Sequence, residues 1–131
     1  MKIKEVMKKV ITVERDSSVK EAASLMSKHR AGSLIVVNGG KPAGIITERD
    51  IISKIAAKDK SSSRTSVEEV MSDRLVTVDQ DSLIDDAVYL MLKHKIKKLP
   101  VLNDEKALVG IITSTDILAN SDEIGQFYFL D

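Results

Sequence analysis

Two nearly identical heptads each place a threonine three residues before an aspartate: GIITERD at residues 44–50 and GIITSTD at residues 110–116. The Gly-Ile-Ile run is typical of a strand, and the polar end is typical of a helix start. A helix N-terminus offers unpaired N–H groups and a partial positive charge, which suit a phosphate. The hydroxyl of Thr47 or Thr113 adds a donor, and the carboxylate of Asp50 or Asp116 can accept from the vicinal hydroxyls of a ribose. The spacing therefore fits the sugar and phosphate of a nucleotide.

The same atoms also fit a helix cap. A threonine at the N-cap bonds the N3 amide, and the acidic side chain at N3 accepts from the N-cap amide, which stabilises a helix by about 1 kcal/mol. Duplication preserves a cap as readily as a ligand contact. The spacing alone leaves both interpretations open.

Composition narrows the class of protein. The chain has 131 residues, 43% apolar and 31% charged, which is typical of a folded globular protein. It carries 20 basic and 20 acidic residues, so there is no overall positive charge to favour nucleic acid. It has no cysteine, which excludes disulfides, thiolate zinc sites and a thiol nucleophile.

Two isolated histidines make a poor metal site, and no Ser-His-Asp arrangement is visible, so we expect neither a metal nor catalytic residues. Without a long apolar run or a signal peptide, we expect a soluble cytoplasmic protein with no membrane contact.

The heptads belong to an internal repeat that covers most of the chain. The offset between matching positions drifts only from 64 (70 − 6) to 66 (110 − 44). Chance does not plausibly produce so many matches in the same order. The matched pairs are Val6-Met7 with Val70-Met71, Asp16-Ser17 with Asp81-Ser82, His29 with His94, and Gly44 with Gly110.

Each repeat predicts the element order β-α-β-β-α. The long helices show apolar residues at i, i+3, i+4 and i+7, and Ser18 and Ser82 are expected to cap them. The apolar positions are Val19, Ala22, Ala23 and Met26 in the first repeat, and Ile84, Ala87, Val88 and Met91 in the second. A second helix is expected to begin inside the end of each heptad and to run through Ile51–Ala57 or Ile117–Asn120. We predict a first repeat over residues 1–57, a polar linker over 58–66, a second repeat over 67–120 and an aromatic tail over 121–131. About sixty residues is marginal for an independent core, so we expect the repeats to pack about a pseudo-twofold axis with one cleft per copy.

The complete pattern resembles a tandem pair of cystathionine-β-synthase (CBS) domains, known as a Bateman module. The resemblance is carried by the opening VM, the helices AASLM and AVYLM, the segment KKLPVLND and the two heptads. It implies an α+β fold that binds an adenine nucleotide (AMP, ADP or ATP) and regulates rather than catalyses. It also implies a homodimer acting on an unknown regulated protein, with no required cofactor. The alternatives are S-adenosylmethionine or NAD as ligand, a ligand-free interaction scaffold, a nucleotide hydrolase, and weak nucleic-acid binding.

The resemblance also implies roles for individual residues. The heptad aspartate meets the ribose hydroxyls, the threonine lies near phosphate, and the base lies against the opening strand of the opposite copy. For Asp116 that strand contributes Val6, Ile11 and Thr12, and for Asp50 it contributes Val70, Val76 and Thr77. The complete expected set adds Gly32, Ser33, Ile45, Thr47, Arg49, Lys97, Lys98, Ile111 and Thr113.

The two copies are unequal in charge. Lys97 and Lys98 align with positions that meet phosphate in related modules, so we expect the Asp116 cleft to prefer a phosphorylated ligand. Gly32 leaves the Asp50 cleft roomier. Arg49 is expected to reach a phosphate, with a surface ion pair as the alternative. The lysine run around residues 93–98 also fits a solvated face, and the aromatic tail is expected to dock on the module or on a dimer partner.

Overall fold

A computed structural model describes residues 1–120 of the chain. These residues form two compact units. One is Ile11–Leu75, and the other joins Met1–Val10 to the described residues from Val76 onward. The aromatic tail predicted over residues 121–131 lies outside the described residues. Within residues 1–120, no helix is both long enough and apolar enough to cross a bilayer.

The unit Ile11–Leu75 contains one three-stranded sheet and its helices. Strand β1 pairs in parallel with β2, and β2 pairs antiparallel with β3. The helix predicted to begin inside the first heptad and to run through Ile51–Ala57 begins at Glu48, as predicted. Its second half is π-helical, with Ala57 N donating to Ile52 O at 2.8 Å. The elements are β1 Thr12–Glu14, α1 Val19–His29, β2 Ser33–Asn38, β3 Lys41–Thr47, α2 Glu48–Ile51, the π turn Ile52–Ala56 and α3 Val67–Val70.

The other unit repeats this arrangement. Its sheet order is β4-β5-β6, again with one parallel and one antiparallel pair. The α+β class and the β-α-β-β-α order predicted from the sequence are confirmed. The elements are a 3₁₀ turn Ile3–Glu5, β4 Val78–Asp79, α4 Ile84–His94, β5 Lys98–Leu102, β6 Leu108–Thr113 and α5 Ser114–Asn120.

The first ten residues pack with the sheet of the second repeat. Ile3 N donates to Ser82 O at 2.9 Å, and Lys8 exchanges two backbone hydrogen bonds with Ile111 in β6. In the corresponding place of the other unit, Ser72 exchanges two backbone hydrogen bonds with Ile45 in β3. Each compact unit therefore contains residues from both sequence repeats.

The apolar faces of the two long helices form the cores, as the periodicity predicts. In α1 the buried residues are Val19, Ala22 and Met26, while Ala23 is only half-buried. In α4 all four predicted positions are buried: Ile84, Ala87, Val88 and Met91.

Capping differs between the repeats. Ser18 caps α1 as predicted, because its Oγ accepts from Glu21 N at 3.1 Å. The prediction that Ser82 caps α4 is wrong, since Leu83 occupies the N-cap and only its backbone N–H is bonded, to Asp86 at 3.0 Å. The repeat offset of 65 in this region (83 − 18) brings an apolar residue to the capping position. The serine cap was therefore lost in the second repeat.

The end of α1 gives a testable stability effect. Arg30 ends this helix in the left-handed conformation, with φ at 51°. A non-glycine side chain there is strained by about 1 kcal/mol, part of which the greater freedom of glycine in the unfolded chain offsets. We expect Arg30→Gly to raise the free energy of unfolding by about 0.5 kcal/mol in urea titrations. Lys28→Gly, inside the same helix, should lower it by about 1 kcal/mol. Equal losses from both substitutions would contradict this account.

Candidate ligand-binding site

Each heptad runs from the end of a strand into a helix, and its threonine and aspartate form a complete capping box. Asp50 Oδ2 accepts from the backbone N of Thr47 at 2.9 Å and from its Oγ1 at 3.0 Å. Asp50 N in turn donates to Thr47 Oγ1 at 3.2 Å. Thr113 and Asp116 repeat this pattern at 3.0, 2.8 and 3.2 Å. The cap interpretation is therefore correct for both heptads, and it uses one oxygen of each carboxylate.

The glycine of each heptad is required by a neighbouring methionine segment of the same unit. A Cβ on Gly44 would lie 2.6 Å from Ser72 O and 2.7 Å from Met71 Sδ. A Cβ on Gly110 would lie 2.7 Å from Met7 Sδ. The repeated Val-Met and the repeated Gly-Ile-Ile thus match because they touch each other, a reason that sequence reasoning did not find.

The helix starts are less open to phosphate than the sequence suggested. The first helical amide of α2, Glu48 N, donates to Gly32 O at 3.0 Å, and Ser114 N donates to Lys97 O at 2.9 Å. The third amide of each helix is bonded to its threonine, as described above. The threonine hydroxyl has one proton, and it is directed to the aspartate. A phosphate at the N-terminus of either helix must therefore take its hydrogen bonds from other groups. Lysine and arginine side chains are suitable donors because they also carry positive charge.

The two aspartates differ in burial. Asp116 is 2% exposed and is one of two buried polar residues in residues 1–120, the other being Ser114. The side chain of Asp50 is 17% exposed. Because burial in a low-dielectric site strengthens electrostatic interactions, the remaining oxygen of Asp116 is the stronger acceptor site of the two.

The remaining oxygen of each aspartate faces a lysine. Lys8 Nζ lies 2.9 Å from Asp116 Oδ1, yet the angles are not those of a hydrogen bond, and Oδ1 has no hydrogen-bond partner among residues 1–120. We regard this contact as an ion pair that leaves a directional acceptor unused. Lys54 Nζ lies 3.2 Å from Asp50 Oδ1 and also donates to Val70 O at 2.9 Å.

Sequence reasoning missed both lysines. Lys54 follows Asp50 by four residues, so the helical i,i+4 rule could have found it. Lys8 is more than a hundred residues from Asp116 in the chain. Its place depends on the pairing of its backbone with Ile111, which no local pattern reveals.

The structure divides the expected ligand-binding residues between the two units. Val6 and Val70 are buried in the cores, and the predicted contacts that would join one unit to the other stay predictions. The unit that contains Asp50 also contains Ile11, Thr12, Gly32, Ser33, Ile45, Thr47, Arg49 and Val70. The unit that contains Asp116 also contains Val6, Val76, Thr77, Lys97, Lys98, Ile111 and Thr113.

The predicted cationic residues are exposed. Lys97, Lys98 and Arg49 all present their side chains to solvent. The surface ion pair considered for Arg49 is not formed with any carboxylate in residues 1–120. Arg49 is thus available for a ligand, as its predicted role requires.

Three carboxylates elsewhere lie close together. One carboxylate oxygen from each of Asp79, Asp81 and Asp104 lies within 4.8 Å of the other two. Lys4 already pairs with Asp81 at 2.9 Å, and its ammonium, by hydrogen bonding, holds the pKa of that carboxyl below its usual range. Exposed acidic groups of this kind are common on protein surfaces, and we assign no metal to them.

Comparison with known proteins agrees with this architecture. The CBS domain family model matches the chain twice, over residues 3–57 and 67–123. The CBS domain-containing protein YhcV of Bacillus subtilis is 39% identical over 111 residues, covering 85% of this chain and 78% of its own. An uncharacterized protein of Methanopyrus kandleri, MK0525, is 37% identical over 83% of this chain, which spans 56% of that protein's length.

Solved structures share the fold. The CBS domain pair of protein MJ0100, in complex with 5′-methylthioadenosine and S-adenosyl-L-methionine, superposes with a TM-score of 0.80 at 33% identity. The match covers 95% of this chain and 98% of that one. A hexameric CBS-CP12 protein from bloom-forming cyanobacteria gives a TM-score of 0.80 at 31% identity, over 95% of this chain and 70% of its own. With two repeats matched by the family model and the same fold in its relatives, this chain belongs to the CBS domain family and is a CBS domain pair.

Proposed function

We propose that this CBS pair is a regulatory module that binds an adenine nucleotide: AMP, ADP or ATP. The observation that carries the proposal is the buried Asp116, whose Oδ2 is fixed by Thr113 while Oδ1 has no hydrogen bond. A buried acceptor without a directional donor is costly, and a ribose hydroxyl is a donor of suitable geometry. The fixed oxygen holds the carboxylate in place for that contact.

The relatives support an adenosine-containing ligand. The MJ0100 pair was crystallised with two such molecules, and both carry a ribose. The choice of a nucleotide over those ligands is ours, and it rests on the lysines beside the aspartates. We also propose that the chain regulates rather than catalyses, in the cytoplasm, through a protein partner of unknown identity.

A thermal-shift panel tests the ligand class. At about 100 times its dissociation constant, a ligand that binds only the folded state raises the free energy of unfolding by about 2.7 kcal/mol. We expect AMP, ADP or ATP to raise the melting temperature more than S-adenosylmethionine or NAD does. Ribose 5-phosphate and GMP serve as controls for the sugar phosphate and for the base. No shift with any adenosine compound would contradict the proposal.

A homodimer belongs to the proposal, and apolar surface supports it. Between α1 and α2 lies a groove of about 390 Å³, lined by residues that include Met26, Ile51 and Ile52. Ile52 is 63% exposed, and Tyr89, Leu92 and Leu118 of the other unit are also exposed. An exposed apolar groove is a candidate surface for self-association.

The apolar groove between α1 and α2 also favours a second candidate function, a ligand-free interaction scaffold. In that case the capping boxes stabilise helices and nothing more. Light scattering with and without AMP separates the two, because a scaffold assembles regardless of nucleotide and shows no thermal shift.

A further inference from the structure

The lysines beside the two heptad aspartates are held differently. Lys54 is anchored by the backbone oxygen of Val70 in addition to Asp50, so its ammonium has two partners. Lys8 contacts Asp116 alone among the carboxylates of residues 1–120, and its side chain is 72% exposed. The cation beside Asp50 is thus fixed by two partners, whereas the cation beside Asp116 has one carboxylate partner and an exposed side chain that can move when a ligand takes its place.

The two lysines also have different origins. Lys54 lies one turn beyond Asp50 in the same helical segment. Its counterpart in the second repeat is Asn120, which bonds Asp116 O instead of a carboxylate. Lys8 comes from the first ten residues of the chain. Its counterpart in the second repeat is Ser72, whose hydroxyl carries no charge. The pairing of Lys8 with Asp116 is therefore not inherited from the repeat.

A ligand with a vicinal diol competes with Lys8 for Asp116 Oδ1. Oδ1 is buried and receives no hydrogen bond from the ammonium, so a ribose hydroxyl that displaces Lys8 supplies the directional donor that this oxygen lacks. Once displaced, Lys8 regains favourable pairing only if the ligand brings an anion of its own. The backbone N–H groups of Ser114 and Asp116 and the hydroxyl of Thr113 already donate within the protein, so they do not serve as donors to that anion and leave it to Lys8.

We propose that Lys8 determines the ligand class at Asp116: it yields the carboxylate to the ribose hydroxyls and then pairs with a phosphate of the same ligand. This inference rests on the proposed function and sharpens it. The Asp116 site discriminates nucleoside phosphates from uncharged nucleosides, because only the former compensate Lys8. The Asp50 site, with its anchored Lys54, discriminates less.

Calorimetric titration with AMP and with adenosine tests the proposal. The full chain carries Asp50→Asn, which weakens the Asp50 site, so that the Asp116 site dominates the measured binding. We expect Lys8→Met to weaken AMP binding about tenfold or more, the effect of one charge-assisted hydrogen bond. Adenosine binding should stay equal or strengthen, because its competitor for Oδ1 is gone. Lys8→Arg should restore the preference for AMP, and added salt should weaken AMP binding less in Lys8→Met than in the parent.

Matched variants separate this role from a structural one. Lys9→Met, which removes the exposed neighbouring lysine in the same background, should leave the ratio of AMP to adenosine affinity closer to the parent than Lys8→Met does. Lys54→Met in an Asp116→Asn background should change that ratio at the Asp50 site less than Lys8→Met changes it at the Asp116 site. Equal weakening of both ligands by Lys8→Met, or no change in either, would overturn the role of Lys8 alone. If the parent chain bound neither AMP nor adenosine, the proposed function itself would fail, and this inference with it.

Discussion

Asp116→Asn should weaken adenine-nucleotide binding by about 100-fold while leaving the chain folded. The amide oxygen can still accept from Thr113 and keep the helix cap. The amide nitrogen, however, replaces Oδ1 and cannot accept from a hydroxyl. Losing charge-assisted hydrogen bonds to a ribose diol costs about 3 kcal/mol, which corresponds to the expected 100-fold. Calorimetry with AMP measures the affinity, and circular dichroism with a urea titration measures the fold.

Asp50→Asn is the matched control for that substitution. Its carboxylate has the same cap but is more exposed and is paired with the anchored Lys54. We expect a smaller loss of affinity, since a partly solvated acceptor gives a weaker hydrogen bond. If neither substitution changed the AMP response while both lowered stability, the heptads would be caps alone and the scaffold function would be favoured.

Gly44→Ala should destabilise the unit Ile11–Leu75 by about 1–3 kcal/mol, the usual range for overpacking a core. The new Cβ would meet the backbone oxygen of Ser72 at 2.6 Å. That oxygen accepts from Ile45 N, so the segment cannot retreat without breaking a hydrogen bond. Urea unfolding monitored by circular dichroism gives the change in free energy.

Two further glycines serve as controls. At Gly32 the nearest atom to a new Cβ would be Glu48 Cδ at 3.7 Å, an ordinary contact, so Gly32→Ala should change stability by less than about 0.5 kcal/mol. At Gly110 the closest atom would be the flexible Met7 Sδ, at 2.7 Å, so Met7→Ala should partly rescue Gly110→Ala. Met71→Ala should not rescue Gly44→Ala to the same extent, because the backbone oxygen of Ser72 would lie 2.6 Å from the new Cβ, closer than Lys8 O at 3.0 Å beside Gly110. Equal losses at Gly32 and Gly44 would refute the steric explanation.

Local periodic features were predictable from the sequence. The apolar faces of α1 and α4 and the strand-to-helix heptads each depend on neighbours within one turn or one strand. The same holds for the Thr-x-x-Asp cap, where all atoms lie within four residues. Ser82 was misplaced because the position equivalent to Ser18 is Leu83, one residue later, and Leu83 occupies the N-cap.

The electrostatic setting of the site was not predictable to the same degree. Lys8 reaches Asp116 only because a distant segment pairs with β6, and sequence periodicity carries no information on that pairing. The bonding of Glu48 N and Ser114 N by backbone oxygens also depends on tertiary structure. These contacts move the expected phosphate donors from the helix ends to lysine side chains.

The arms Met1–Val10 and Val67–Leu75 each open one repeat and complete the compact unit of the other. In a polypeptide that holds one repeat alone, the sheet would lack the arm that pairs with it. The arm of that polypeptide would also lack the sheet with which it pairs. Two such polypeptides could satisfy each other by reciprocal exchange, as domain-swapped dimers do. Joining them through the polar linker turns an intermolecular exchange into an intramolecular one, whose stability no longer depends on protein concentration. Because both arms belong to one chain, their sequences can also differ. The equivalent positions Lys8 and Ser72 are one such difference.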